Sequence, residues 1–446
     1  MGASVRASHR RSPVQLFPRK SKQSPKLIVQ TSSLAQMRPN QASGVALRTG
    51  GTTSRMRTHH KVLPQHERLS GHNALPSLRV GLLGAGGIAT THAMTVKSLP
   101  GVELIGVADV DGNKARRLAE RFGVGGSYTS LAEMIAGARP DVVHILLPPD
   151  MHARPAIEAM AAGADVFVEK PLCVSEEECR AVEESAHRFG RIVGVNHNVT
   201  FDPTFLRLVE VIRSRRIGKV QHVAVYWSVP FGDVFGAPLF ARHGAGAVML
   251  ETGPHPLSLL VRLIGEVRTA AALVTEELRT APDTWQLAFA CERGTGQCFI
   301  GIARSFTEIR VRVIGEDGVA EADLRLGNVT LVENTRSSPL FFKLADTLTL
   351  ARSLASSAAR GFAERVRRIP GGGATDDFGP MMRGSIGAFY EALRAGQQPK
   401  VSLREGLAVT RSCLRAIEAA NVSRTRNGAT AMATEETTWQ TQTASS

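Results

Sequence analysis

Between residues 77 and 196, short apolar runs alternate with stretches of helical spacing. The runs are 79–83 (RVGLL), 102–108 (VELIGVA), 141–147 (DVVHILL), 165–168 (DVFV) and 192–195 (IVGV). They are apolar at nearly every position, the pattern of strands buried on both faces, as in a parallel sheet. Segments 113–121, 153–162 and 176–189 read as the intervening helices. Past residue 197 the pattern changes. Residues 203–214 are helical by spacing. The runs 220–228, 270–274, 285–291, 298–304, 309–314 and 319–323 then read as strands, broken by turns such as Gly315-Glu316-Asp317-Gly318. These give a largely antiparallel open sheet. Residues 376–395 and 403–421 close the fold as two helices, and a polar, disordered tail follows over 426–446. The expected fold class is α/β plus α+β: an N-terminal parallel sheet with helices on its faces (77–196) and a C-terminal domain on the largely antiparallel open sheet (197–425).

Two stretches stand apart. Residues 338–370 carry a partly helical period through Leu344, Leu348, Leu350, Leu354, Ala358, Phe362 and Val366. Lys343, Arg352, Arg360, Arg365, Arg367 and Arg368 add charge, and Gly371-Gly372-Gly373 ends the segment. It reads as an inserted surface or oligomer-packing helix, or as a basic amphipathic helix lying on a membrane. Residues 1–75 have no hydrophobic period and are rich in Ser, Arg, Gln, Thr and Pro. They hold thirteen Lys or Arg against one acid, Glu67, and so account for most of the net charge of +14. Such a stretch buries too little apolar surface to offset its ordering entropy, and a disordered basic tail is expected. Its alternatives are a transit peptide, a nucleic-acid tail, or untranslated sequence ahead of Met37 or Met56.

Hydrophobic residues make up 43% of the 446 and charged residues 21%, which is the balance of a soluble globular protein. No apolar run reaches the ~20 residues of a membrane span. The five cysteines, Cys173, Cys179, Cys291, Cys298 and Cys413, have no metal-ligand spacing, and their odd number argues against a disulfide framework. No metal site is expected, and a reducing, cytoplasmic setting is.

Gly84, Gly86 and Ala89 form G-x-G-x-x-A between a strand and a helix. Gly84 permits the tight turn, Gly86 lets a pyrophosphate approach the backbone, and Ala89 lets helix and sheet pack closely. The helix opening at Gly87 and Ile88 offers N–H groups and a partial positive charge to the phosphates. Asp109 ends the second run, twenty-five positions after Gly84. It is placed to bind a ribose 2′-OH, which favours NAD and repels the extra phosphate of NADP; the competing role for Asp109 or Asp111 is a helix N-cap. Pro148, Lys170 and Asn196 also lie just past strand ends, where one crevice would collect them.

The segments GAGGIA, VADVD, PPDMHARPAIEAMAAGADVFVEKPL and GAVMLETGPHPLSLL resemble, in order and spacing, the Gfo/Idh/MocA oxidoreductases. The resemblance covers residues 77–335 well and the remainder loosely. It implies an NAD(P)-dependent dehydrogenase or reductase that transfers hydride between nicotinamide and a secondary alcohol or ketone of a sugar, cyclitol or sugar derivative. It also implies that 77–196 is a Rossmann dinucleotide-binding domain and 197–425 a substrate or oligomerisation domain, in a homo-oligomer whose sheets pair face to face, with no specific nucleic-acid partner. Lys170 is expected to stabilise an alkoxide; its bland alternative is a surface salt bridge with Glu169. The bond before Pro171 is often cis in similar proteins. His255, placed at the N-cap of 257–264 with Pro256 at the first helical position, is expected to stay neutral and act as base. Glu251 stands where similar proteins have Asp, one methylene shorter, and supports the pair as orienter or relay. The cofactor would contact Gly84, Gly86, Gly87, Ile88, Asp109, Pro148, His152, Glu169, Lys170 and Asn196. The substrate would contact Lys170, His197, Glu251 and His255, with Asn198, His152, Trp227 and Arg242 as further pocket candidates. The alternatives are a non-catalytic dinucleotide-binding sensor or scaffold on the same fold, and a basic tail anchoring the protein to nucleic acid or membrane.

Overall fold

A computed structural model describes residues 77–230, 246–275, 283–302, 305–333, 339–368 and 378–443. The basic stretch 1–75, Arg242 and the triple glycine at 371–373 lie outside the described residues.

Six parallel strands make the first sheet: β1 (Leu78–Leu83), β2 (Val102–Ala108), β3 (Gly126–Tyr128), β4 (Val142–Ile145), β5 (Asp165–Val168) and β6 (Val193–Val195). Their order is β3-β2-β1-β4-β5-β6. The chain reverses direction across the sheet between β1 and β4, so a crevice opens there above the carboxyl ends. Val80, Leu82, Val107, Val143, Ile145, Val166 and Val168 are fully buried, as covering both faces requires. Helices α1 (Gly87–Ser98), α2 (Gly112–Phe122), α3 (Leu131–Ala138), α4 (Ala153–Ala161) and α5 (Glu176–Phe189) connect the strands. Asp111, Ser130 and Ser175 cap α2, α3 and α5, each accepting a backbone N–H two or three residues on. Such a cap is worth ~1 kcal/mol. β3, with three residues, is too short for its periodicity to be read.

The second sheet has seven strands: β7 (Val220–Ser228), β8 (Val267–Thr275), β9 (Thr284–Cys291), β10 (Gly294–Gly301), β11 (Glu308–Gly315), β12 (Gly318–Asp323) and β13 (Asn328–Glu333). They lie in the order β13-β12-β11-β7-β10-β9-β8, and only β7 and β10 pair in parallel. One face buries Val225, Leu287, Phe289, Ile300 and Val311 against α6 (Pro203–Arg213) and α8 (Pro254–Ile264), which contribute Phe205, Leu259 and Leu260. The other face presents Gln286, Ala288, Ala290, Thr295 and Gln297. In β13 every residue is half-buried, so it has no alternation to betray it.

Three helices complete the chain: α9 (Pro339–Arg368), α10 (Phe378–Arg394) and α11 (Leu403–Thr443). α9 is the inserted helix, but it turns Ser353 toward β13, donating to the Val329 carbonyl at 2.7 Å, and leaves Leu344, Leu348, Leu350 and Leu354 exposed. α10 sits in the core of the first sheet, with Met382, Ile386, Phe389 and Tyr390 packed among Val80, Leu82 and Phe167. Gly194 admits it: a Cβ there would come within 2.5 Å of the Phe389 ring. α11 joins both cores, Leu407 facing the first sheet and Val409, Cys413 and Ala416 the second. It also runs through the stretch expected as a polar tail after 425. The helix runs on to Thr443, and no Gly or Pro follows Gly428 to stop it. Among the described residues no helix is long and apolar enough to cross a membrane.

Candidate active site

The glycine turn is built as its residues dictate. Gly84 has φ +104°, and a Cβ there would lie 2.6 Å from the Leu146 carbonyl oxygen. Gly86 is the N-cap of α1, and no side chain caps the helix. A Cβ on Gly86 or Gly87 would meet nothing within 4 Å, so both border open space at a helix N-terminus. A cavity of about 490 Å³ beside Ala85–Gly87 is rimmed by Lys114, Arg117 and Arg121 from α2. Open backbone, a helix end and three cations suit an anionic pyrophosphate. Asp109 sits at the end of β2, its Oδ2 accepting Ala85 N–H at 2.7 Å and its Oδ1 accepting Asp111 N–H at 2.9 Å. The helix cap is Asp111, not Asp109. These residues fit a dinucleotide.

Across the crevice lies the Glu169-Lys170-Pro171 turn after β5, with a cis bond before Pro171. Lys170 does not pair with Glu169 at the surface. Its Nζ donates to Glu251 Oε1 at 2.8 Å and to the Glu251 carbonyl at 3.0 Å, and the two side chains are 14% and 18% exposed. Glu251 closes α7 (Gly246–Glu251), and α8 starts afresh at Pro254. His255 N–H turns to the Thr252 carbonyl at 3.1 Å, which leaves the Glu251 carbonyl to the lysine. The extra methylene of Glu251 does not prevent the contact.

His255 is not the N-cap. Gly253 takes that place and Pro254 enters the first turn, because either proline of Pro254-His255-Pro256 can start a helix and the earlier one does. The ring stacks on Trp227, 5.4 Å between centroids and 6° between planes. Burial, then the Lys170 charge, push the His255 pKa down to about 3, so the imidazole is neutral at pH 7. His197 follows β6 and is 1% exposed; neither ring nitrogen has a partner among the described residues. Burial, then the charge of Arg262, lower its pKa to about 3 as well. Asn196 Oδ1 and Asn198 Oδ1 are likewise buried without a partner there.

Glu169 and His152 act in the frame of the site. Burial alone would raise the Glu169 carboxyl, but its hydrogen bonds with His92 and Asn196 hold it down, at about 2. Asn196 Nδ2 donates to Glu169 Oε1 at 2.6 Å, and His92 Nε2 lies 2.8 Å from the same oxygen. His152, expected against the cofactor, is buried with Nδ1 2.6 Å from the Pro171 carbonyl and Nε2 2.7 Å from that of Leu147. It braces the turn after β5 against the segment after β4. Pro148 opens that segment, just before the short 3-10 turn Pro149–Met151. Sequence reasoning passed over His92, His144 and Tyr390. The available signal was a histidine inside the apolar run 141–147, and another on the apolar side of α1 between Ala89 and Val96.

Both halves of the chain are similar to known proteins. Residues 78–197 match the model of the oxidoreductase family with an NAD-binding Rossmann fold, and residues 205–321 match the GFO/IDH/MocA C-terminal domain. An uncharacterized oxidoreductase, ORF334, from Rhizobium meliloti is 32% identical over 182 residues, covering 41% of this chain and 54% of that protein. The chain thus spans about half the length of that relative. Inositol 2-dehydrogenase of Rhizobium meliloti (strain 1021) is 28% identical over 256 residues, 55% of this chain and 76% of that one. The crystal structure of the WlbA dehydrogenase from Bordetella pertussis, in complex with NADH and UDP-GlcNAcA, superposes with a TM-score of 0.61 at 20% identity, over 78% of this chain and 96% of that one. That likeness is one of fold. Matches to both halves of the family's architecture, in the order of the two sheets, make this chain a member of the Gfo/Idh/MocA oxidoreductases.

Proposed function

We propose that the protein is an NAD-dependent oxidoreductase that transfers hydride between the nicotinamide and a secondary alcohol or ketone of a cyclitol, sugar or sugar derivative. One observation carries the reading: the Lys170 ammonium is anchored on Glu251, and its charge, after burial, helps hold the neighbouring His255 imidazole neutral. In this reading residues 77–196 hold the dinucleotide and residues 197–425 supply the substrate side.

When bound, NAD supplies the hydride acceptor. Gly86, Gly87 and the start of α1 hold its pyrophosphate, and Asp109 holds the ribose. Asn196 and Glu169 border the nicotinamide. The substrate hydroxyl donates its proton to a ring nitrogen of His255, which burial keeps free to accept it. Lys170 Nζ donates to the same substrate oxygen and stabilises the alkoxide as C–H cleavage proceeds. Glu251 fixes the direction of that N–H, and Trp227 fixes the plane of the imidazole. His197 and Asn198 meet neighbouring hydroxyls, which supports a polyhydroxylated substrate, since their buried polar atoms need partners. The exposed face of the second sheet supports self-association, which sedimentation measures.

The test is purified protein with NAD and a panel of cyclitols, sugars and sugar acids, with NADH formation followed by absorbance. Turnover that needs both Lys170 and His255 supports the reading. Tight NADH binding with no turnover on any member would sink it in favour of a dinucleotide sensor.

A further inference from the structure

A line of buried polar side chains runs from the turn after β5 to α10. Glu169 Oε1 lies 2.8 Å from His92 Nε2, His92 Nδ1 lies 2.9 Å from His144 Nδ1, and His144 Nε2 lies 2.7 Å from the Tyr390 hydroxyl. His92 and His144 are 0% exposed and Tyr390 1%. The residues come from α1, β4 and α10, so the sequence separates the ends of the line by more than two hundred positions. Phe167 and Phe389 wall it: the His144 and Phe167 ring centroids are 5.0 Å apart, as are those of Phe167 and Phe389. The far end is closed, because the phenol is itself buried. The near end is not. Glu169 also accepts the Lys170 backbone N–H at 3.3 Å and the Asn196 amide at 2.6 Å, so it ties the residue before Lys170 to the end of β6.

With both rings neutral, one assignment of protons gives every polar atom of this line a partner. Tyr390 O–H donates to His144 Nε2, His144 Nδ1–H donates to His92 Nδ1, and His92 Nε2–H donates to Glu169. The opposite direction would point an imidazole lone pair at a carboxylate and leave the phenol hydrogen without an acceptor in an apolar wall. We infer that His92, His144 and Tyr390 are positioning residues for the hydride-transfer site. They form a one-way hydrogen-bonded chain, anchored in α10, that holds Glu169 as the anion and thereby sets the aim of Lys170. Burial, then the neighbouring His92, keep His144 well below its ordinary pKa, in accord with a neutral link. Since the far end is sealed, the chain orients and does not deliver protons to solvent.

This inference rests on the proposed reaction for its kinetic consequence, but its geometry is tested without substrate. NMR of nitrogen-labelled histidine in the full-length protein is expected to report His144 protonated on Nδ1 and His92 protonated on Nε2. Tyr390→Phe removes only the terminal donor. It is expected to shift the ring resonances of both histidines and the side-chain carbon resonances of Lys170. The melting temperature should fall by a few degrees, for the buried His144 acceptor left without a donor, and NADH affinity should stay close to the parent. On any substrate the panel finds, kcat should fall about tenfold with KM nearly unchanged, as the loosened Glu169 turn aims Lys170 less well. His144 protonated on Nε2 in the parent protein would overturn the chain. So would His92 and Lys170 resonances that ignore Tyr390→Phe. Should Tyr390→Phe fail to fold, the parent's tautomers alone decide. Absence of turnover on the whole panel counts against the proposed reaction and leaves the histidine result to judge the chain.

Discussion

Asp109 and Ala85 are joined across the mouth of the crevice: the carboxylate at the end of β2 accepts the amide of the residue between the two turn glycines, at 2.7 Å. The acid assigned to the ribose therefore also braces the turn that receives the pyrophosphate. Asp109→Ala is expected to weaken NAD binding by tenfold or more, about 1.4 kcal/mol or above, because brace and ribose acceptor go together. Asp109→Asn, which keeps an acceptor but loses the charge, should lose less for NAD and gain for NADP. Titration of both dinucleotides checks this, and an unchanged NAD affinity in Asp109→Ala would remove Asp109 from the site.

Gly84 and Gly86 should respond differently to the same methyl group. Gly84→Ala puts a Cβ against the Leu146 carbonyl in a left-handed backbone and is expected to lower the melting temperature by several degrees. Gly86→Ala meets nothing in the protein. It should melt with the parent and lose NAD affinity, because its methyl occupies the space of the pyrophosphate. Equal effects of the two on both readouts would contradict that division.

The proposed reaction turns on Lys170, Glu251 and His255. Lys170→Ala and His255→Ala are each expected to lower kcat by ~100-fold or more. Glu251→Gln keeps the length and a hydrogen-bond acceptor but loses the charge, and should fall between those variants and the parent. Glu251→Asp retains the charge but withdraws it by a methylene, so its rate measures how far the site depends on the longer side chain. Parent rates in both alanine variants would refute the assignment.

Acid should unfold this protein in two overlapping steps. The folded pKa of His197 is depressed to about 3, so between about 6.5 and 3 the unfolded chain binds the proton and the folded chain does not. Stability then rises with pH, by up to ~1.4 kcal/mol per unit for this one group, and is lost as pH falls through that window. Glu169, depressed to about 2, adds stability that is complete above its ordinary value and is lost as pH falls toward 2. His255, also depressed to about 3, adds a share equal to that of His197; denaturant unfolding at pH 7, 6, 5 and 4 should show the summed slope, and His197→Asn should lower it by up to ~1.4 kcal/mol per unit between pH 6 and 4. An identical slope in the variant would mean that His197 is solvated.

The strands of the first sheet were legible because burial on both faces leaves long apolar runs, and the glycine turn because each small residue has one steric reason. β13 escaped because half-burial along its whole length erases alternation. The start of α8 was displaced because two prolines compete for one role. Lys170 and His255 could be singled out in the chain, but their partners could not. Glu251 reaches Lys170 through a helix break, and the contact of Tyr390 with His144 spans 246 residues, beyond the reach of any local pattern.

The seating of α10 against β6 also bears on how this polypeptide is made. Phe389 and Tyr390 emerge from the ribosome long after Phe167 and Gly194, the residues they cover. Until they arrive, the nucleotide-binding half has a greasy flank open to water and a histidine pair without its lid. Excision of residues 77–197 as an autonomous cofactor carrier would strand that flank permanently, so a soluble fragment has to bring α10 with it.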